Sequence, residues 1–127
     1  MATEIPFLSK SREALEATQL LFEKGFLNSA VSRAYYAAFN AARAALVAAQ
    51  ISKADRKWSH EAIQGGFSLL IRRRKIYPAA LASDLGDLLS MRELADYGEE
   101  MIGSKDARDV LKRASRFVEL VSKEIGA

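Results

Sequence analysis

Arg92 and Asp96 stand one helical turn apart in a stretch whose other spaced positions are apolar. From Pro78 onward the chain reads as a helix with a stripe of Leu81, Leu85, Leu88, Leu89 and Ala95. At about 100° per residue Arg92 falls at the centre of that stripe, with Asp96 on the same side. A guanidinium keeps its charge, and leaving it unpaired in an apolar interior would cost several kcal/mol or more. Arg92 therefore requires a carboxylate, a cage of tyrosine and backbone, or a ligand. An i,i+4 pair with Asp96 is the structural option. The chemical option is a fork held at a cleft, because arginine matches the oxygens of a phosphate. Tyr97 follows on a different side of the helix.

A second polar set lies on the alanine-rich segment after Asn28. Arg33, Tyr36, Asn40 and Arg43 form one arc there, a solvated or subunit-facing surface on the simplest account. Alternatively the arc lines a groove in which Tyr36 stacks on a base and the arginines meet phosphate. His60 follows Ser59 at the head of another helix and is either a first-turn residue or a general acid/base whose partner would be Arg92 or a second subunit. Arg72, Arg73, Arg74 and Lys75 suit the C-terminal end of that helix and offer a basic surface to RNA or an acidic partner.

The elements that position these groups are helical. The chain has 127 residues, half of them hydrophobic and 28% charged, with only two prolines. One domain spanning residues 1–127 is expected, large enough for a single core. Its five helical segments run from Ser9 to Lys24 with Gly25 as C′ residue, from an Asn28 N-cap to Gln50, from Ser59 to Arg74, from Pro78 to Gly98, and onward from Gly103-Ser104. Leu15, Leu20 and Leu21 are the expected apolar positions of the first. In the third, the Gly65-Gly66 pair costs roughly 1 kcal/mol per glycine against alanine. The fifth has nearly ideal 3-4 spacing through Ala107, Val110, Leu111, Ala114, Phe117, Val118, Val121 and Ile125. Short connections predict an all-α, up-and-down antiparallel four-to-five-helix bundle. The second helix has no acidic residue between Phe26 and Ile51. Its inner stripe includes Val31, Tyr35, Phe39 and Leu46, and another side is alanine (Ala37, Ala41, Ala44, Ala48), which lets a neighbour approach closely. Such a helix belongs at the centre or at a dimer seam.

Several function classes are excluded or disfavoured. There is no cysteine and a single histidine, so no thiolate or multi-histidine metal site forms within one chain, and no cofactor is expected. Gly65-Gly66 lacks the surroundings of a phosphate loop. Nothing reads as a signal peptide, and Arg33, Asn40 and Arg43 interrupt the longest alanine-rich stretch, so a cytoplasmic protein without a membrane span is expected. The net charge of +3 is uneven: residues 51–75 carry seven Lys/Arg against two Asp/Glu. That allows an anionic partner without the dense basic face of a dedicated nucleic-acid binder.

The string Ser32-Arg33-Ala34-Tyr35-Tyr36-Ala37-Ala38-Phe39-Asn40-Ala41-Ala42-Arg43, with His60 heading a helix and then Arg92-Glu93-Leu94-Ala95-Asp96-Tyr97, resembles the small stand-alone prokaryotic branch of the HEPN (higher eukaryotes and prokaryotes nucleotide-binding) domain family. The resemblance covers about Ser9 to Lys123. It implies an antiparallel bundle that forms a homodimer and works beside a minimal nucleotidyltransferase in a toxin–antitoxin-like pair. Many such proteins are metal-independent ribonucleases that use an Arg-x(4–6)-His motif, with two copies facing each other across the dimer. In some, a nearby tyrosine, here Tyr97, receives a nucleotidyl group from the partner.

The ribonuclease motif is absent as written. An arginine matching His60 would stand at 53, 54 or 55, which are Lys53, Ala54 and Asp55, and Arg56 is one residue too close. After Arg92 the corresponding positions offer Asp96 and Tyr97 but no histidine. The leading expectation is a dimeric bundle that binds a nucleotide or RNA phosphate near Arg92 and Arg33. The alternatives are a ribonuclease toxin using Arg92 and His60 in a variant geometry, and a purely structural interaction module.

Overall fold

The computed structural model describes residues 4–50 and 59–126, the side chains of Glu4 and Ile5 excepted. Five helices follow in order: α1 (Glu4–Glu23), α2 (Leu27–Ala48), α3 (His60–Arg74), α4 (Ala80–Tyr97) and α5 (Ser104–Ile125). They form an all-α bundle, with no strand among the described residues. The expected polar connection Ile51–Trp58, including Lys53, Ala54, Asp55 and Arg56, lies outside those residues. None of the described helices is long and apolar enough to cross a membrane.

The bundle is built around α2, which packs on all four other helices and most extensively on α1. Ala37, Ala41 and Ala44 are fully buried, whereas Ala48 at the end of that alanine row is exposed. Without side chains beyond Cβ, the row allows α1 so close that the Ser11 hydroxyl donates to the Ala37 carbonyl at 2.6 Å. Thr18 is likewise buried and returns its hydroxyl to the Ala14 carbonyl of its own helix. The large side chains Tyr35 and Leu46 fill the other side of α2, meeting Phe67 of α3, Leu81, Leu85 and Leu88 of α4, and Phe117 of α5 in one apolar cluster.

Several expected boundaries and faces need correction. The first helix begins at least five residues before Ser9, because Pro6 is tolerated in a first turn and Phe7 and Leu8 anchor that turn in the core. Its inward face is Phe7, Leu8, Ser11, Ala14 and Thr18, while Leu20 is 61% exposed. Close approach selects small and hydroxyl-bearing residues, which displaces leucine from the seam. At the C-terminus Gly25 has φ +81, with Gly25 N–H donating to Phe22 and Phe26 N–H to Leu21, the paired bonds of a Schellman motif.

Asn28 is not an N-cap. It lies inside α2, and its Oδ1 accepts from Ile102 N–H at 2.9 Å, so it satisfies the α4–α5 connection instead. The helix ends at Ala48 rather than Gln50, whose backbone turns left-handed at φ 62. Ser59 caps α3 by accepting from Ala62 N–H at 3.1 Å. The Gly65-Gly66 pair does not interrupt that helix. Pro78 forms the turn before α4 rather than its first residue, with Leu81 N–H bonded to the Pro78 carbonyl.

The alanine seam makes a specific demand on volume. Ala41→Leu inserts a branched side chain where the α1 backbone already lies close, and overpacking of this kind costs about 1–3 kcal/mol. Urea denaturation followed by circular dichroism is expected to show that loss, with the midpoint moved and the slope unchanged.

Candidate functional site

Tyr36 is the residue on which the candidate groups converge. It is half-buried on α2, one turn after the exposed Arg33, whose guanidinium carbon lies 5.4 Å from the Tyr36 ring centre. From α4 the Arg92 guanidinium approaches the same ring at 5.3 Å and the Tyr97 ring at 5.8 Å. Both distances fall within cation–π range. The His60 ring centre lies 6.2 Å from that of Tyr36 and 4.9 Å from that of Phe39. Three helices therefore deliver Arg33, Arg92 and His60 to one aromatic patch.

Arg92 does not sit in the core, as the centre of the leucine stripe had suggested. Its side chain retains 17% exposure, and its Nε donates to Asp96 Oδ2 at 3.0 Å. Leu88 and Ala95, about one turn to either side, are buried, and a long stem lets the charge reach the rim. Desolvation lowers the guanidinium's pKa, but Tyr36, Tyr97 and Asp96 outweigh it and raise the value overall, so the cation persists. Asp96 also accepts from the Ser32 hydroxyl at 3.3 Å, tying α4 to α2. Because the pair is made through Nε, the fork of terminal amino groups is not the part Asp96 engages.

Beside this cluster runs an open groove of about 590 Å³ between the end of α1, the start of α2 and the end of α4. Asn28, Ser29, Ser32, Arg33, Asp96 and Tyr97 supply its polar lining. Hydroxyls, an amide and a guanidinium at one wall, with aromatic surface at the rim, can meet an oxyanion and a flat ring together.

The expected arc on α2 divides. Arg33 and Tyr36 belong to the groove end. Asn40 donates to the Tyr36 carbonyl of its own helix at 3.0 Å, and Arg43 lies over the Phe7 ring at 4.3 Å, toward the start of α1. These two pack the bundle rather than line the groove. His60 is a first-turn residue as well as a member of the patch: its Nδ1 lies 2.6 Å from the Tyr35 hydroxyl. Burial raises the Tyr35 phenol well above its ordinary pKa, reinforced by Tyr36 and only partly countered by Arg92. Tyr35 was expected only as a core residue. The available signal was that a buried tyrosine hydroxyl needs a partner.

A separate ionic cluster was not foreseen. Asp84 on α4 is only 4% exposed and pairs with Arg116 and, at 3.7 Å, with Arg113, both from α5. Arg113 also reaches Asp87 at 2.8 Å and Asp109 at 3.1 Å. No group of histidines and carboxylates suited to a metal occurs among the described residues.

With this bundle and patch described, comparison with known proteins defines the class. The family model of the HEPN domain matches residues 6–125, and the chain belongs to the HEPN domain family. It is 27% identical over 115 residues to a UPF0332 protein of Gloeobacter violaceus, covering 89% of this chain and 88% of that one. It is 25% identical over 115 residues to a protein of Methanocaldococcus jannaschii named "Putative toxin", covering 91% and 83%.

The two ionic sites on α4 should separate on mutation. Arg92→Ala removes a pair local to one helix at the rim and is expected to cost about 1 kcal/mol or less. Asp84→Ala deprives Arg116 of its carboxylate, whereas Arg113 keeps Asp87 and Asp109. Since Arg116 is 53% exposed, the cost should fall below that of a fully buried pair, at about 2 kcal/mol. Thermal unfolding of the two variants side by side checks the order.

Proposed function

We propose that this HEPN-type bundle binds the phosphate of a nucleotide or RNA beside Tyr36, through Arg92 and Arg33, with Tyr97 offering ring surface at the groove. The observation that carries the reading is the approach of two guanidiniums from different helices to one half-buried ring at the edge of an open groove. Both cations are permanent, and Asp96 pairs with one of them, Arg92. A phosphate would supply a second counter-charge, and arginine forks suit its oxygens.

The protein acts in the cytoplasm as a homodimer, in partnership with a separately encoded minimal nucleotidyltransferase, as one half of a toxin–antitoxin-like pair. Family membership and the relative named a toxin support this part of the reading. Large apolar side chains at the groove end support self-association: Leu94 is 53% exposed, Tyr97 75% and Met101 77%. Contact through that end would bring two grooves face to face and cover surface that water otherwise meets.

Two measurements test the reading. Melting temperature is followed against AMP, ATP and a short single-stranded RNA. A ligand at about 100 times its Kd adds about 2.7 kcal/mol to stability. Stabilisation by one of these ligands that disappears in Arg33→Ala and Arg92→Ala is expected; no response to any of them would reject the phosphate site. For assembly, light scattering after size exclusion is expected to report a dimer in the parent chain and a monomer in Leu94→Glu/Met101→Glu. An unchanged dimer in the double variant would move the seam elsewhere.

A further inference from the structure

The Tyr35–His60 contact gives the histidine a defined chemical role. Tyr35 is fully buried, and its hydroxyl oxygen lies 2.6 Å from Nδ1 of His60. Two neutral arrangements share that distance. In one the phenol donates to Nδ1 and the imidazole proton sits on Nε2. In the other Nδ1–H donates to the phenol, whose own proton must then find a second acceptor. Among the described residues the hydroxyl's hydrogen bond is the one to His60. A buried donor left without an acceptor is costly, which favours the first arrangement. Burial also keeps the phenol protonated, so its proton remains available to donate.

We propose that Tyr35 is a positioning residue that fixes neutral His60 as its Nε2–H tautomer, so that the imidazole presents a hydrogen-bond donor to a phosphoryl oxygen at the Tyr36 patch. The inference rests on the phosphate reading above and adds a third donor to Arg33 and Arg92. Tilted contacts of the His60 ring with Phe39 at 4.9 Å and with Tyr35 at 5.4 Å limit its rotation, so the hydroxyl sets the tautomer and the rings help set the orientation. With its Nδ1 occupied, the neutral ring is a donor at Nε2 and has no free basic nitrogen with which to take a proton from a ligand hydroxyl.

His60 is the only histidine, so its ring nitrogens are read without ambiguity. Two-bond proton–nitrogen correlation spectra of the uniformly 15N-labelled full chain, recorded where the imidazole is neutral, are expected to show a protonated Nε2 and an unprotonated, hydrogen-bonded Nδ1. In Tyr35→Phe both nitrogen shifts should move toward a tautomeric average. A proton on Nδ1 in the parent chain, or identical spectra for the parent and Tyr35→Phe, overturns the lock.

The donor role is tested by calorimetric titration with AMP and with inorganic phosphate. Tyr35→Phe is expected to weaken AMP binding about three- to tenfold, the effect of one hydrogen bond. His60→Ala should weaken it at least as much, while His60→Gln, which keeps an N–H near the Nε2 position, should stay within about twofold of the parent. Equal AMP affinity in the parent and Tyr35→Phe overturns this inference and leaves the Arg33/Arg92 reading standing. A parent chain that binds neither AMP nor phosphate overturns the donor role and the underlying reading together, while the nitrogen spectra still report the tautomer.

Discussion

Close approach of α1 to the alanine row of α2 is the constraint on which the other placements rest. Ala37, Ala41 and Ala44 allow a helix to settle until a serine hydroxyl reaches the opposing backbone. A seam of this kind excludes large side chains from one face, so α2 must place Tyr35 and Leu46 on the opposite face, against α3, α4 and α5. The absence of acids between Phe26 and Ile51 then has a physical reason. A carboxylate on a helix enclosed by four others would lose its hydration with little prospect of repayment. Arginine can carry its charge outward on a long stem, and Arg33 and Arg43 are the charges α2 keeps.

That placement determines the electrostatics of the patch. Tyr36 lies where α2 meets the end of α4, so Arg33 along the helix and Arg92 across it share one ring. The ring attracts both cations, and the Asp96 carboxylate pairs with Arg92. His60 adds a polar edge without adding a fixed charge.

Much of the bundle was legible in the sequence because its signals are periodic. The fifth helix repeats apolar residues at 3-4 spacing over about five turns, and all of that stripe is buried except Leu111 and Ile125, which stay partly exposed. Gly25 announced the end of α1, since a left-handed C′ position favours glycine. Legibility failed where packing is close or partners are distant in sequence. The inward face of α1 is read poorly by hydrophobicity because Ser11 and Thr18 occupy it, while exposed Leu20 carries the stronger apolar signal. Asn28 has a good capping side chain, but Ile102 lies 74 residues onward and claims it. At the candidate site, Arg92 with Asp96 was visible because i,i+4 pairing is local. The Tyr35–His60 bond and the Asp84 cluster join separate helices, and no local spacing encodes them.

The two carboxylate–guanidinium sites on α4 show why only one of them is a candidate for a ligand. Asp84 is nearly inaccessible and is held between two arginines of α5, so its charge is committed to fastening one helix to another. Any ligand there would have to displace a bridge that supports the bundle. Twelve residues later, at the rim, Asp96 meets Arg92 through Nε within a single helix, and the groove lies alongside. Opening that pair costs little folding energy, because both groups remain partly solvated. The same chemistry therefore serves cohesion at one end of α4 and stands beside an open groove at the other. Burial, rather than residue type, separates the two roles.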